Sequence, residues 1–407
     1  MEERLRYWIW LSQCFSYGSP KPLELIEAGA DPERLYQEGR EYRESFGVLN
    51  TRDLSRMERI SLERADVILD NCQKQNIWAI SWENNLFPAT LRHIYGPPVV
   101  LYGKGNLEGL GQMLRLTIVG TRDSSEYAMS VAGNLSFQLA RTGVVIVSGC
   151  AVGIDEYAHR GAIRAGGRSV GILACGADVD YPAATRQVRE HLLYQNGALL
   201  TELPPGTQVN RYYFPVRNRL MAGFSEGVFV VQAPQKSGAL ITAELAIEQG
   251  KELFCLPPCS IFAPEYLGVV PLLRDGAIPV YGVEDILSEY EVQWADQLHL
   301  EALKETVKPR RQPTLQVADQ PQYTLDTKPP IKQLPEPSIE KIPKAEPIRL
   351  IGIQKDLYSM LEETPRPMDD LIRQSGKRPQ EVLAALTELE LLGLVRAYPG
   401  RQYGKAF

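Results

Sequence analysis

The chain has 407 residues, 44% hydrophobic and 23% charged, with a formal net charge of −6. That length admits two or three domains, and the composition is that of a globular protein rather than a fibrous or low-complexity one. The opening MEERLRYWIW mixes both charges, and no run of about 18 apolar residues occurs, so a cytoplasmic protein without secretion signal or membrane partner is expected.

Residues 1–75 read as short helices, "LRYWIWLSQCF", "KPLELIEAG", "DPERLYQEG" and "DLSRMERISLERADVILDNCQKQ", with apolar residues at three and four spacings and Gly or Pro at their ends. Residues 76–112 carry prolines that deny long helices, and an extended connector is expected there. From 113 to 290, short β-branched runs alternate with helical stretches: "RLTIVG", "GVVIVSG", "RSVGILACG", "ALLTEL", "GVFVVQA", "ELFCLP" and "AIPV". This alternation predicts an α/β fold, a Rossmann-like, doubly wound and mainly parallel sheet. Ligands of such sheets bind at the carboxyl ends of the strands near the topological switch point. Nine prolines between Pro309 and Pro347 mark residues 291–347 as an extended linker. Residues 348–407 read as three amphipathic helices and a hairpin around Pro399-Gly400, the pattern of a winged helix.

The cysteines Cys14, Cys72, Cys150, Cys175, Cys255 and Cys259 lie mostly in apolar runs, as buried reduced thiols do. A lone C-x3-C with no nearby His makes a poor zinc site, so no metal is expected. The loop after the first strand, "IVGTRDSSEYA", offers a tight turn at Gly120, a cap at Thr121 and a cation at Arg122 beside a helix start. Such a terminus suits an anion, although an ordinary strand-to-helix turn reads the same way. After the second strand, "VSGCAVGIDEYAH" places Gly149 and Gly153 in a partial G-x-x-x-G, but the dinucleotide fingerprint is missing. Asp155 and His159, four apart, suit a pair that orients the loop backbone better than a catalytic one, for want of a nucleophile or metal partner. "QAPQKSGALITAELA" gives Lys236, an N-cap at Ser237, and Gly238, without the G-x-x-x-x-G-K-[ST] spacing of a P-loop.

Between these loops lies "NRYYFPVRNRLMAG", where Arg211, Arg217 and Arg219 fall in a window without a carboxylate from Glu202 to Glu226. Arginines grip backbone phosphates, and an aromatic face such as Phe214 stacks on an unpaired base at roughly 1–3 kcal/mol. Three anion-competent loops on one sheet edge point to a single-stranded DNA groove.

The ordered set "IVGTR", "VSGCAVGIDEYAH", "NRYYFPVRNRLMAG", "KSGALITAELAIEQGKELFCLPP" and "LLRDGAIPV" resembles the DNA-processing protein A (DprA/Smf) family over residues 80 to 290. The resemblance implies a cofactor-free, non-enzymatic protein that dimerises through its Rossmann-like domain, binds single-stranded DNA and loads the RecA recombinase during natural transformation or recombination. The implied DNA contacts are Gly120, Thr121, Arg122, Gly149, Arg211, Phe214, Arg217, Asn218, Arg219, Lys236, Ser237 and Gly238. A homodimer interface is expected around Val270, Leu272, Leu273 and Ile278. The sequence departs from the family pattern at Cys150, where S-G-L-A has Leu, and at "PPCS" and "EYLGVVPLL". The N-terminal part would be a SAM or helix-hairpin-helix-like module that keeps only Gly18 of the phosphate-gripping glycine hairpin, hence a structural one. The presumed recognition helix carries Arg378 but also Glu381, Glu388 and Glu390, which favours protein or auxiliary DNA contact over duplex reading. The competing readings are a phosphoribohydrolase-like enzyme, echoed by Gly238, Thr242 and Glu244, and a scaffold without ligand.

Overall fold

The structure, a computed structural model, describes residues 2–260, 262–304, 352–361, 366–391, 394–398 and 402–405. It divides into two compact units, Met1–Leu315 and Gln316–Phe407.

The first unit begins with six helices, α1 (Glu2–Cys14), α2 (Lys21–Glu27), α3 (Pro32–Gln37), α4 (Gly39–Glu44), α5 (Thr51–Arg59) and α6 (Leu62–Lys74). Two of them, α3 and α5, start at side chains that satisfy orphan N–H groups. Asp31 accepts from Glu33 N at 3.0 Å, and Asn50 and Asp53 form a reciprocal capping box. On α1, Trp8, Ile9, Trp10, Leu11 and Cys14 are all buried. The second half of the helix is therefore buried nearly all round and belongs to the interior, while its charged first turn is exposed. Its core continues into the sheet through Val100, Tyr102, Cys175 and Leu199.

Residues 76–112, expected as a connector, contribute β1 (Trp78–Ser81) and β2 (Val100–Gly105) to the main sheet. Pro88, Pro97 and Pro98 fall between the two strands, where no ladder bond is lost. The α/β alternation follows as β3 (Arg115–Gly120), α7 (Glu126–Arg141), β4 (Val145–Ser148), α8 (Ile154–Arg164), β5 (Ser169–Ile172), α9 (Arg186–Tyr194) and β6 (Ala198–Thr201). It continues with α10 (Tyr213–Phe224), β7 (Gly227–Gln232), α11 (Gly238–Glu248), β8 (Glu252–Cys255), α12 (Val269–Arg274), β9 (Ile278–Pro279), α13 (Val283–Leu287) and α14 (Glu301–Lys304). The nine strands run in the order β1-β2-β6-β5-β4-β3-β7-β8-β9. From β6 to β9 all neighbours are parallel, while β1 and β2 add an antiparallel edge. Helices cover both faces of a doubly wound sheet, which explains why its central strands read as unbroken apolar runs.

The winding reverses once. The chain steps outward from β3 through β4, β5 and β6, and α10 then carries it back to β7 on the other side of β3. The switch point lies between β3 and β7, and the loops leaving both strands open there.

The first stretch of the expected linker is folded. Leu298 is buried, Trp294 packs on the sheet core, and His299 N donates to Thr142 O at 2.9 Å. The Pro-rich remainder lies outside the described residues.

The second unit contains α15 (Ile353–Met360), β10 (Arg366–Pro367), α16 (Met368–Ser375), α17 (Pro379–Leu391), β11 (Val395–Tyr398) and β12 (Gln402–Lys405). Its small sheet has the order β10-β12-β11, and Leu357, Leu371, Val382, Leu386 and Val395 form its core. This is the winged-helix arrangement, and the turn at Pro399-Gly400 lies outside the described residues. On α17, Glu381, Glu388 and Glu390 are exposed. No helix among the described residues is long and apolar enough to cross a membrane, and no group of three or more His, Cys, Asp or Glu there could hold a metal.

Candidate nucleic-acid interface

Gly120 ends β3 at a crowded place: a Cβ there would lie 2.5 Å from Ile154 Cγ1 and 2.9 Å from Gln232 O. Only glycine lets α8 and β7 approach the strand end this closely. Buried Gln232 at the end of β7 then fixes the neighbouring loop. Its Oε1 accepts from Ser125 N at 2.9 Å, and its Nε2 donates to Ser125 Oγ at 3.0 Å. Ser125 is the N-cap of α7, so one side chain locks the loop that carries Thr121 and Arg122.

Between the two loops opens a cleft of about 380 Å³. Gly120, Thr121 and Arg122 line it from β3; Phe214, Arg217, Asn218 and Met221 from α10; and Lys236, Ser237, Gly238 and Thr242 from the β7–α11 turn and α11. Nine of the twelve expected DNA contacts, all but Gly149, Arg211 and Arg219, are thus brought to one place. Ser237 caps α11, accepting from Ala239 N at 3.3 Å. Arg122 and Lys236 are exposed at the rim.

The arginine segment divides into three roles. Arg217 is 5% exposed, and its Nη1 donates to the carbonyls of Gly149, at 2.8 Å, and of Ile172. Burial lowers its pKa, and the charge of Asp155 opposes that shift. Burial in turn raises the pKa of Asp155, against the pull of Arg217 and of backbone N–H groups. Asp155 accepts from Gly149 N at 3.1 Å and Ala151 N at 3.4 Å, the loop-orienting role expected of it. Gly149 therefore seats Arg217: a Cβ at this position would stand 2.2 Å from Arg217 Nη1. Asn218 is also buried, and its Nδ2 donates to Gly238 O at 3.3 Å, fixing the start of α11.

Arg219 does not line the cleft. It is buried in an ion pair with Glu202, which also takes a hydrogen bond from the backbone of Gly18. Gly18 faces the Arg219 guanidinium, so the one glycine kept from the hairpin pattern abuts an arginine of α10. Arg211 is exposed and lies outside the cleft lining, with its Cζ 4.9 Å from the centre of the Tyr212 ring. The carboxylate-free window is thus a feature of sequence alone, since Asp155 and Glu202 supply the opposing charges from other elements.

Phe214 is half-buried at the head of α10. The Arg122 guanidinium lies 5.0 Å from its ring centre, that of Arg217 6.0 Å, and Tyr181 meets it edge-on at 6.3 Å. Tyr181 was not anticipated. Its signal was its place after the strand "RSVGILACG", on the same sheet edge as the other loops.

Cys150, His159 and Ser169 form a chain, with Cys150 Sγ 3.4 Å from His159 Nε2 and His159 Nδ1 2.8 Å from Ser169 Oγ. All three are buried. Burial pushes the thiol up to about 12 and the imidazole down to about 3, so neither thiolate nor imidazolium forms near neutrality. The arrangement packs the interior, as expected where Cys150 replaces Leu. Glu244, the echo of an enzymatic loop, is exposed and does not line the cleft. Val270, Leu272 and Leu273 on α12 and Ile278 on the edge strand β9 are each half-buried, the last three against the sheet core.

A family model described as DNA recombination-mediator protein A matches residues 78–291, and another described as DprA winged helix domain matches residues 343–401. The DNA processing protein DprA of Bacillus subtilis is 40% identical over 222 residues, 54% of this chain and 74% of the relative. Protein Smf of Synechocystis sp. is 34% identical over 339 residues, 82% of each chain. The X-ray structure of DprA from Streptococcus pneumoniae matches with a TM-score of 0.59 at 31% identity, covering 69% of this chain and 95% of that one.

Proposed function

The chain belongs to the DNA recombination-mediator protein A family, the DprA/Smf proteins, and from that premise we propose that it binds single-stranded DNA in the β3–β7 cleft and loads RecA recombinase onto it. The observation that carries this reading is the half-buried Phe214 ring with the Arg122 guanidinium 5.0 Å from its centre, at the mouth of a switch-point cleft that also holds Lys236. An aromatic face takes an unpaired base, and cations beside it take the flanking phosphates. A duplex offers its phosphates but not its base faces, so the site selects single strands.

The reading assigns Arg122, Lys236, Ser237 and the amides of Gly120 and Gly238 to phosphate contact, with Phe214 stacking on the base; Thr121, whose N–H donates to Gln232 O at 2.8 Å, shapes the loop that carries Arg122. Gly149, Asn218 and Arg217 hold this surface in shape. The protein acts without nucleotide hydrolysis, in the cytoplasm, as a two-fold dimer through α12 and β9.

Fluorescence anisotropy with labelled single-stranded and duplex oligonucleotides across a salt series tests it. Single strands should bind more tightly, with log affinity falling by about 0.7 per phosphate contact for each unit of log salt. Arg122→Ala and Lys236→Ala should weaken binding to all sequences alike, because phosphates carry no sequence information. Unchanged affinity in both folded variants would sink the assignment.

A further inference from the structure

Helix α10 is held from two sides. Through Phe214, Arg217 and Asn218 it faces the cleft and the sheet. Through Tyr213 and Arg219 it faces the turn between α1 and α2. The Tyr213 ring meets Tyr17 edge-on at 6.0 Å, and Arg219 pairs with Glu202, which also accepts from Gly18 N. The packing at this turn is close. A Cβ on Gly18 would lie 3.2 Å from Arg219 Nε, and Gly18 has a φ of +80°, a left-handed conformation that favours glycine. A Cβ on Gly96, in the loop before β2, would lie 2.0 Å from Gly18 O, so three stretches of chain meet at this one glycine.

The Arg219–Glu202 pair is poorly built for stability. Arg219 is 7% exposed, and its Nε and Nη1 meet no acceptor among the described residues. A buried pair with unmet donors gains little over apolar side chains of the same size. What it supplies is direction, because it ties one rotation of α10 about its axis to the backbone of Gly18. Tyr213 and Phe214 stand about 100° apart around that axis, so whatever fixes one fixes the other. A turn of the helix by about 10° would carry the Phe214 ring, roughly 6 Å off the axis, by about 1 Å.

We infer that Glu202 and Arg219, seated against Tyr17 and Gly18, are positioning residues for strand binding. They make the N-terminal module part of the frame of the groove and set where Phe214 stands, without touching DNA themselves. The inference rests on the reading of the cleft as a single-strand groove, and it gives Arg219, which lies outside that cleft, a task in it.

The test compares stability and strand affinity in the full chain. Glu202→Leu combined with Arg219→Met replaces the pair by apolar side chains of similar size. The urea midpoint should hold or rise. Affinity for oligo(dT) should fall by about 5-fold or more, up to the roughly 150-fold effect of losing one stacked base. The salt slope should stay the same, because no phosphate contact is lost. Built on Phe214→Ala, the same double replacement should cost no further affinity, since its effect passes through that ring. Tyr17→Leu removes the edge contact with Tyr213 and should also weaken binding only where Phe214 is present, which keeps the test alive where the charge-free pair fails to fold. Wild-type affinity in the variants that fold overturns the inference and leaves the groove standing. A loss that adds to that of Phe214→Ala, or one that comes with a lowered midpoint, also overturns it. Absence of single-strand binding in wild type would remove the groove and the inference with it.

Discussion

Arg122 and Arg217 look alike in sequence, yet the structure assigns them opposite consequences on truncation. Arg217→Ala leaves buried Asp155 without the guanidinium whose charge offsets its own. It also strips a donor from the carbonyls of Gly149 and Ile172, at about 1–3 kcal/mol for each group left unsatisfied. The two carbonyls together set an expected loss of about 2–6 kcal/mol, a large share of the 5–15 kcal/mol of a typical domain. Arg122 is exposed, and its removal should stay within about 0.5 kcal/mol of wild type. Urea denaturation followed by circular dichroism reads both, with the midpoint reporting stability at constant slope. Arg122→Ala should unfold at the wild-type midpoint while losing affinity for oligo(dT), and Arg217→Ala should unfold at markedly lower urea. An Arg217→Ala protein with wild-type midpoint and slope would refute the structural role given to its buried hydrogen bonds.

Phe214→Ala should lower single-strand affinity by about 1–3 kcal/mol with little change in salt slope, because a stacking face is lost and no charge; a melt far below wild type with unaltered affinity would make the ring a core residue instead. On the proposed dimer, wild type should sediment as a dimer at micromolar concentration, and Leu272→Glu, which places a charge on the half-buried α12 surface, should sediment as a monomer. His159 is held down to about 3 from the usual 6.5 by burial, so the fold keeps it neutral. A group with a depressed folded pKa of this basic kind binds its proton more readily when unfolded. Its contribution to stability is therefore intact above 6.5 and is lost as pH falls from 6.5 toward 3, by roughly 5 kcal/mol at about 1.4 kcal/mol per unit. Urea midpoints for His159→Gln should fall less steeply across that window, and an unchanged profile would count against a neutral buried imidazole.

The strands of the sheet were legible because parallel strands covered on both faces must be apolar throughout, and "GVVIVSG" or "GVFVVQA" admits few other readings. The turns after β3 and β7 were legible too, since glycine, a cap and a cation after a strand report a local geometry, whereas the arginine segment expected as a third loop is the helix α10. What escaped was long-range pairing. Arg219 meets Glu202, Arg217 is offset by Asp155, and Asn218 holds Gly238, each set by the return of α10 across the sheet rather than by neighbours in the chain. The strands β1 and β2 were obscured by the prolines between them, which terminate helices but sit harmlessly in the loop joining two edge strands.

The apolar interior that α1 shares with Val100, Tyr102, Cys175 and Leu199 bears on how the chain could be taken apart. A protein whose segments were beads on a string would release the helical segment intact after a cut near residue 75. Here the cut would bare Tyr102 and Leu199 to water on one fragment and Trp8 and Trp10 on the other. Neither piece should be recoverable as a monodisperse product, and the two should melt together in one transition. For the same reason, grafting this segment from one relative to another would require the wall of β2 and β6 to be exchanged along with it.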